Sequence, residues 1–195
     1  MRWNMSDNAK RLLEYSIWVG VVALAILALI FKPSNMQAWI EYAGYAVPVA
    51  TGFALLYERW LWRWNPFEKT PRLAKCYDGT LHYNFNGIEE SKPIEVRVKQ
   101  SLLRIQVSTR TDMNSSNSIS ATITDEHGEN ILYYQYRTAP DLTTKRENPM
   151  QYGACRMRID GNEQQLRGSY WTDRPSRGDM IWVPVIEEKK HVKNR

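Results

Sequence analysis

Residues 166–178 read LRGSYWTDRPSRG. Alternate positions here, Leu166, Gly168, Tyr170, Thr172 and Arg174, pass from apolar to hydroxyl to cation. That order fits the inward face of a strand approaching an open rim. A Tyr ring can stack on a base, a Thr hydroxyl can exchange a hydrogen bond, and an Arg guanidinium fits phosphate oxygens. Pro175 biases Arg174 toward extended backbone, which helps the alternation hold as far as Arg174. The same residues admit a second arrangement, in which Tyr170 caps a core while Arg174 and Arg177 pair with Asp173 and Asp179.

Other chemistry is sparse. His82, His127, His191, Cys76 and Cys155 are the imidazoles and thiols, and none stands at metal-ligand spacing. No glycine-rich phosphate loop opens a helix, and no Ser or Cys nucleophile has a nearby His. The expectation is no catalytic residue, no metal and no enzyme. Cys155 falls on an apolar face, as a core residue would, and a disulfide to Cys76 is not expected in a cytosolic domain.

The elements that must position these groups fall into two parts. Residues 15–31 are uncharged and apolar, and 38–57 are apolar but for Glu41. Each is long enough to span a membrane, and KPSNMQ joins them as a hairpin. No small-residue cleavage site follows the first run, which argues against a signal peptide. Arg2, Lys10 and Arg11 precede the first run, and Arg59, Arg63, Lys69, Arg72 and Lys75 follow the second. Lys and Arg favour the cytoplasmic side, so both termini are expected there. Trp60, Trp62 and Trp64 read as an interfacial belt. Ala46, Ala50 and Ala54 recur at one-turn spacing, either as a close-packing face or as ordinary span composition. Pro48 could kink the span. Glu41 would snorkel to the interface or line a pore.

Residues 1–64 thus form a helical hairpin and 65–75 a basic linker. Eight runs with period-2 alternation follow, near 79–85, 93–99, 101–109, 117–124, 130–136, 152–159, 165–172 and 178–185. Predicted inward sets include Leu103/Ile105/Val107, Ile119/Ala121/Ile123 and Ile181/Val183/Val185. The fold class is all-β, a minimal eight-stranded antiparallel β-barrel over 76–186, preceded by a two-helix transmembrane hairpin and ending in a basic tail at 187–195. A sandwich is the structural rival. Residues 76–195 hold 17 Lys and Arg against 16 Asp and Glu, a balance that argues against DNA or RNA as partner.

With up-and-down strands, the loops 86–92, 110–116, 137–151 and 173–177 share one rim. They bring Lys92, Arg110, Arg137, Lys145, Arg146, Arg174 and Arg177 together, and the chain enters and leaves at the opposite, acidic rim. That topology adds Thr109, Arg110 and Arg137 to Tyr170, Thr172, Arg174 and Arg177 as candidate ligand groups. It would point their rim toward the cytosol.

The hairpin at 15–57, the basic linker, the barrel and LRGSYWTDRPSRG before DMIWVPV together resemble the two-transmembrane β-barrel effectors of bacterial CBASS anti-phage systems. The resemblance implies that the barrel receives a cyclic dinucleotide made by a partner nucleotidyltransferase. It implies that the protein then oligomerises, and that its clustered spans disrupt the inner membrane and kill the infected cell. Two other readings stay open. One is a lipocalin-like carrier using inward Tyr83, Phe85, Tyr134 and Tyr136. The other is a scaffold binding protein through Trp171, Trp182 and Tyr133.

Overall fold

The computed structural model describes residues 7–85, 88–112, 114–140, 150–161, 164–173 and 177–185. The chain divides into two units, Met1–Lys69 with Ser101–Leu103, and Thr70–Gln100 with Arg104–Arg195.

The first unit holds α1 (Asp7–Phe31) and α2 (Met36–Arg59), followed by a short 3-10 turn at Leu61–Arg63. Asn35 caps α2, its side chain accepting from the Ala38 amide at 2.8 Å. Among the described residues, α1 alone is apolar enough to cross a membrane, with a mean hydropathy of 2.2 over its most apolar window. Gln37, Glu41, Thr51 and Glu58 dilute α2, so composition supports one crossing helix where the sequence reading counted two. Ala50 of α2 does face α1. A Cβ built on Gly20 would lie 3.4 Å from that of Ala50, the close approach that small side chains permit.

Below the helices, Tyr57 and the fully buried Trp62 pack with Leu102. Trp62 is therefore core, while Trp60 and Trp64 stay exposed. The Leu102 amide donates to the Glu58 carbonyl at 3.0 Å, and the Ser101 hydroxyl donates to the Glu58 carboxylate.

The second unit is a closed barrel in which each strand pairs antiparallel with its sequence neighbour and β1 closes on β8. The strands are β1 (Cys76–Phe85), β2 (Ile88–Gln100), β3 (Ile105–Arg110) and β4 (Asn114–Glu126). Then come β5 (Glu129–Pro140), β6 (Gln151–Ile159), β7 (Leu166–Thr172) and β8 (Arg177–Pro184). Closure removes the unpaired edges that an open sheet would expose. The up-and-down order brings the C-terminal ends of β1, β3, β5 and β7 to one end, as the sequence predicts.

The opposite end is packed. Leu73 sits in the core with Tyr77, Val96, Val98, Val107, Met157 and Trp182. Its amide donates to the Gln100 side chain at 2.9 Å, and the Gln100 amide group donates back to the Pro71 carbonyl at 2.7 Å. Residues 70–75 therefore belong to the barrel and stopper that end.

Three predicted faces change. Leu103 lies outside β3 and lines the helical unit's apolar groove. A bulge between Ser118 and Ser120 reverses the parity of β4, so Ile119 points outward at 61% exposure while Ser116 turns in. The Ser118 hydroxyl accepts from the Val107 amide at 2.9 Å, replacing a ladder partner at the irregularity. In β8 the inward set is Met180 and Trp182, and the expected Ile181/Val183 face is turned away from the core. Both alternations in β8 are apolar, and β-branched propensity favours the Ile181/Val183 one. Size decides otherwise: Trp182 stands opposite Gly79, where an added Cβ would come within 2.9 Å of its ring.

Candidate functional site

The open half of the barrel encloses a cavity of about 470 Å³, within the usual range for small-molecule sites. It forms because the inward residues grow more polar along each strand. Strand β7 supplies Leu166 and Gly168 in the packed half, then Tyr170 and Thr172 at the cavity. Strand β2 runs Val98, Val96 and Ile94 inward, and Lys92 continues that parity to the mouth.

Tyrosine rings form much of the wall. Tyr83, Tyr134, Tyr136 and Tyr170 come from β1, β5 and β7. Tyr134 and Tyr136 lie 5.9 Å apart between ring centroids, and Tyr134 stacks obliquely on Trp182 at 5.8 Å. The side of Tyr136 is accommodated by Gly153, where a Cβ would meet the phenol at 2.5 Å. Burial pushes the phenols of Tyr134 and Tyr136 above the usual tyrosine range, so both remain neutral hydrogen-bonding groups. Beneath them, burial pushes the Cys155 thiol up to about 12, which makes it an inert core thiol.

A second set of groups is hydroxyls and amides. Thr109 and Ser116 share a hydrogen bond of 2.6 Å across β3 and β4. Thr138, Thr172 and Gln151 complete this set. Between β3 and β4, the Thr111 amide donates to the Asn114 carbonyl at 2.8 Å and the Asn114 amide donates to the Thr111 hydroxyl at 3.1 Å. This tight turn carries Asp112 at the cavity mouth.

Charge is scarce. Among the described lining residues Lys92 is the one cation and Asp112 the one anion. The Lys92 ammonium lies 5.2 Å from the Tyr83 ring centroid, and the Tyr83 hydroxyl donates to Glu90. Its hydrogen bond with Tyr83 holds the Lys92 pKa above the usual value, with the charges of Tyr83, Glu90 and Asp112 acting in the same direction. Lys92 is therefore a permanent cation near neutrality, suited to a phosphate.

Of the sequence candidates, Tyr170, Thr172 and Thr109 line this cavity. Arg110 and Arg137 do not. They stand on the outer face, Arg110 opposite Glu95 and Ser115, Arg137 opposite Asn117 and Tyr152. Arg177 pairs in register with Trp171 and lines a neighbouring groove of β1, β2, β7 and β8 that shares Tyr83 and Tyr170 with the cavity. Asp179 there accepts from the Ser169 hydroxyl at 2.8 Å. Arg174, Lys145 and Arg146 lie outside the described residues. Lys92, expected only among the rim charges, shares parity with Ile94, Val96 and Val98 and so faces inward. Trp182, a proposed docking residue of the scaffold reading, is fully buried.

Two comparisons bear on this cavity. The family model described as "Cap15, cyclic dinucleotide receptor domain" matches residues 68–183, which include every described strand residue up to β8's penultimate position. The chain is also 34% identical over 179 residues to CD-NTase-associated protein 15 of Staphylococcus schleiferi, covering 90% of this chain and 97% of that one.

Proposed function

The chain belongs to the Cap15 family of cyclic dinucleotide receptors, and from that premise we propose that the open cavity of its barrel binds a cyclic dinucleotide and so triggers the helical unit against a membrane. The observation that carries the reading is the cavity's wall. Tyrosine rings, a band of hydroxyls and one permanent cation together offer stacking, sugar and phosphate contacts in one chamber. Tyr170, Thr172, Thr109 and Lys92 are the proposed ligand contacts. An apolar cargo would strip water from the hydroxyls and from the Lys92 ammonium and offer them no hydrogen bond in return, which disfavours the carrier reading.

The cavity is small for a whole dinucleotide, and Lys92 is balanced by Asp112. Part of the ligand would therefore stay at the mouth, open to a second barrel. A ligand promotes assembly only when it binds the assembled state more tightly, and bridging two mouths would supply that difference. In this reading a partner nucleotidyltransferase makes the ligand during phage infection. Self-association then concentrates the helices, the less apolar α2 crossing the inner membrane in the company of α1, with both termini cytoplasmic. The clustered helices break the bilayer and end the infected cell. The barrel acts as a receptor and not as a catalyst.

Vesicle leakage tests the whole sequence of events. The full chain would be reconstituted into phosphatidylethanolamine–phosphatidylglycerol vesicles loaded with a self-quenching dye. Adding cyclic dinucleotides is expected to release dye, and the Lys92→Ala chain is expected to need far more ligand. Release that is identical with and without every cyclic dinucleotide would contradict the proposal.

A further inference from the structure

Asp112 is an anomaly in a chamber meant for phosphodiesters. A carboxylate at the mouth repels a ligand with two negative phosphates, unless the ligand returns hydrogen-bond donors to it. The groups around it do not remove the problem. Lys92, the one described cation lining the cavity, feels the charge of Asp112 but also that of Glu90 and is hydrogen-bonded to Tyr83, so it offsets the Asp112 carboxylate only in part. The Thr111–Asn114 hydrogen bonds fix the turn on either side of Asp112, so the backbone that carries it is held at the rim.

Building on the cyclic-dinucleotide reading above, we infer that Asp112 reads a guanine base, so that the cavity's ligand is a guanine-containing cyclic dinucleotide. The Watson–Crick edge of guanine presents an N1–H and a 2-amino group side by side, a parallel pair that matches the two oxygens of one carboxylate. Adenine presents an acceptor at N1 where guanine has N1–H, so only its 6-amino group could donate to the carboxylate while the N1 lone pair faces the second oxygen. Uracil presents a single N–H flanked by two carbonyls. Guanine is thus the base that turns Asp112 from a repulsive group into a bidentate acceptor. The tyrosine walls then supply the ring faces, and Lys92 takes a phosphate. A site built around such a pair discriminates by leaving the carboxylate unpaired against the wrong base.

The test is titration calorimetry of the full chain in lipid nanodiscs with cyclic di-GMP, cyclic GMP–AMP and cyclic di-AMP. The parent chain is expected to bind the guanine-containing ligands about tenfold or more tighter than cyclic di-AMP, the scale of one bidentate base contact. Asp112→Asn is expected to lose most of that preference, weakening cyclic di-GMP while leaving cyclic di-AMP unchanged or slightly tighter. Asp112→Glu should keep the order of preference. Asp112 is on a surface turn, and unchanged thermal melting of both variants shows that the fold is retained. Equal binding of cyclic di-AMP and cyclic di-GMP by the parent, or an equal loss for all ligands in Asp112→Asn, overturns the guanine assignment and leaves the receptor reading intact. Absence of binding by any cyclic dinucleotide overturns both.

Discussion

At the level of single residues, Lys92 and Arg177 illustrate how position outranks type. Both are cations near the same end of the barrel, but Lys92 lines the cavity and Arg177 lines the groove next to it. Lys92→Ala is expected to weaken ligand binding about ten- to hundredfold, the worth of charge-assisted hydrogen bonds. Arg177→Ala should cost distinctly less in the same titration. The buried acids of the core set a different dependence. The Cys155 thiol ionises near ~8.5 in an unfolded chain and at about 12 in the barrel. Between those values the unfolded state binds fewer protons, so stability falls as pH rises. The contribution is complete below the unfolded value and is lost on the alkaline side, by at most about 1.4 kcal/mol per pH unit for one group. Tyr134 and Tyr136, raised chiefly by burial, extend the loss above pH ~10. Thermal melts from neutral to alkaline pH should show this decline, and Cys155→Ala should flatten its first part.

Among the elements, β8 provides the sharpest check on the fold. With Trp182 in the core, Trp182→Ala should destabilise the barrel by about 3–5 kcal/mol, while Val183→Ala should change it by well under ~1 kcal/mol. Chemical denaturation of the two variants measures the difference, and the reverse order would restore the sequence-based face. Gly153→Ala tests the cavity wall. Its methyl would displace the Tyr136 phenol, so ligand affinity should fall together with stability, by about 1–3 kcal/mol for the overpacked core.

These cases also show what the sequence could and could not reveal. Eight alternating runs announced eight strands, and their short polar turns announced antiparallel order. The β7 face was legible because only one of its two alternations is apolar, which correctly placed Tyr170 and Thr172 inward. In β8 both alternations are apolar, so pattern carried no information and the volume of Trp182 against Gly79 decided. In β4 the Ser118–Ser120 bulge shifted parity, and a run of Ser, Asn and Ile gives no local signal for that shift. For Arg110 and Arg137 the sequence indicates the end of the barrel but not the face. Rim position follows from topology, whereas facing follows from parity, and both residues share parity with exposed neighbours.

For the whole molecule, two units divide the work between a chamber that can sense a small polar ligand and helices that can meet lipid. Helix α1 has the length and apolarity to cross, so the full chain should sediment with membranes and resist extraction by alkaline carbonate. A chain lacking residues 1–69 should stay in the supernatant. Close packing of Gly20 against Ala50 makes Gly20→Leu a test of the helical unit alone, since it should alter dye release without altering ligand affinity. The central claim is that the cavity is the receptor site, and the most direct measurement is calorimetric titration of cyclic dinucleotides into the full chain, its Thr172→Val variant and its Lys92→Ala variant. The account predicts saturable binding by the parent, weakened by both substitutions with unchanged melting behaviour. Parent-like affinity in both folded variants would contradict it.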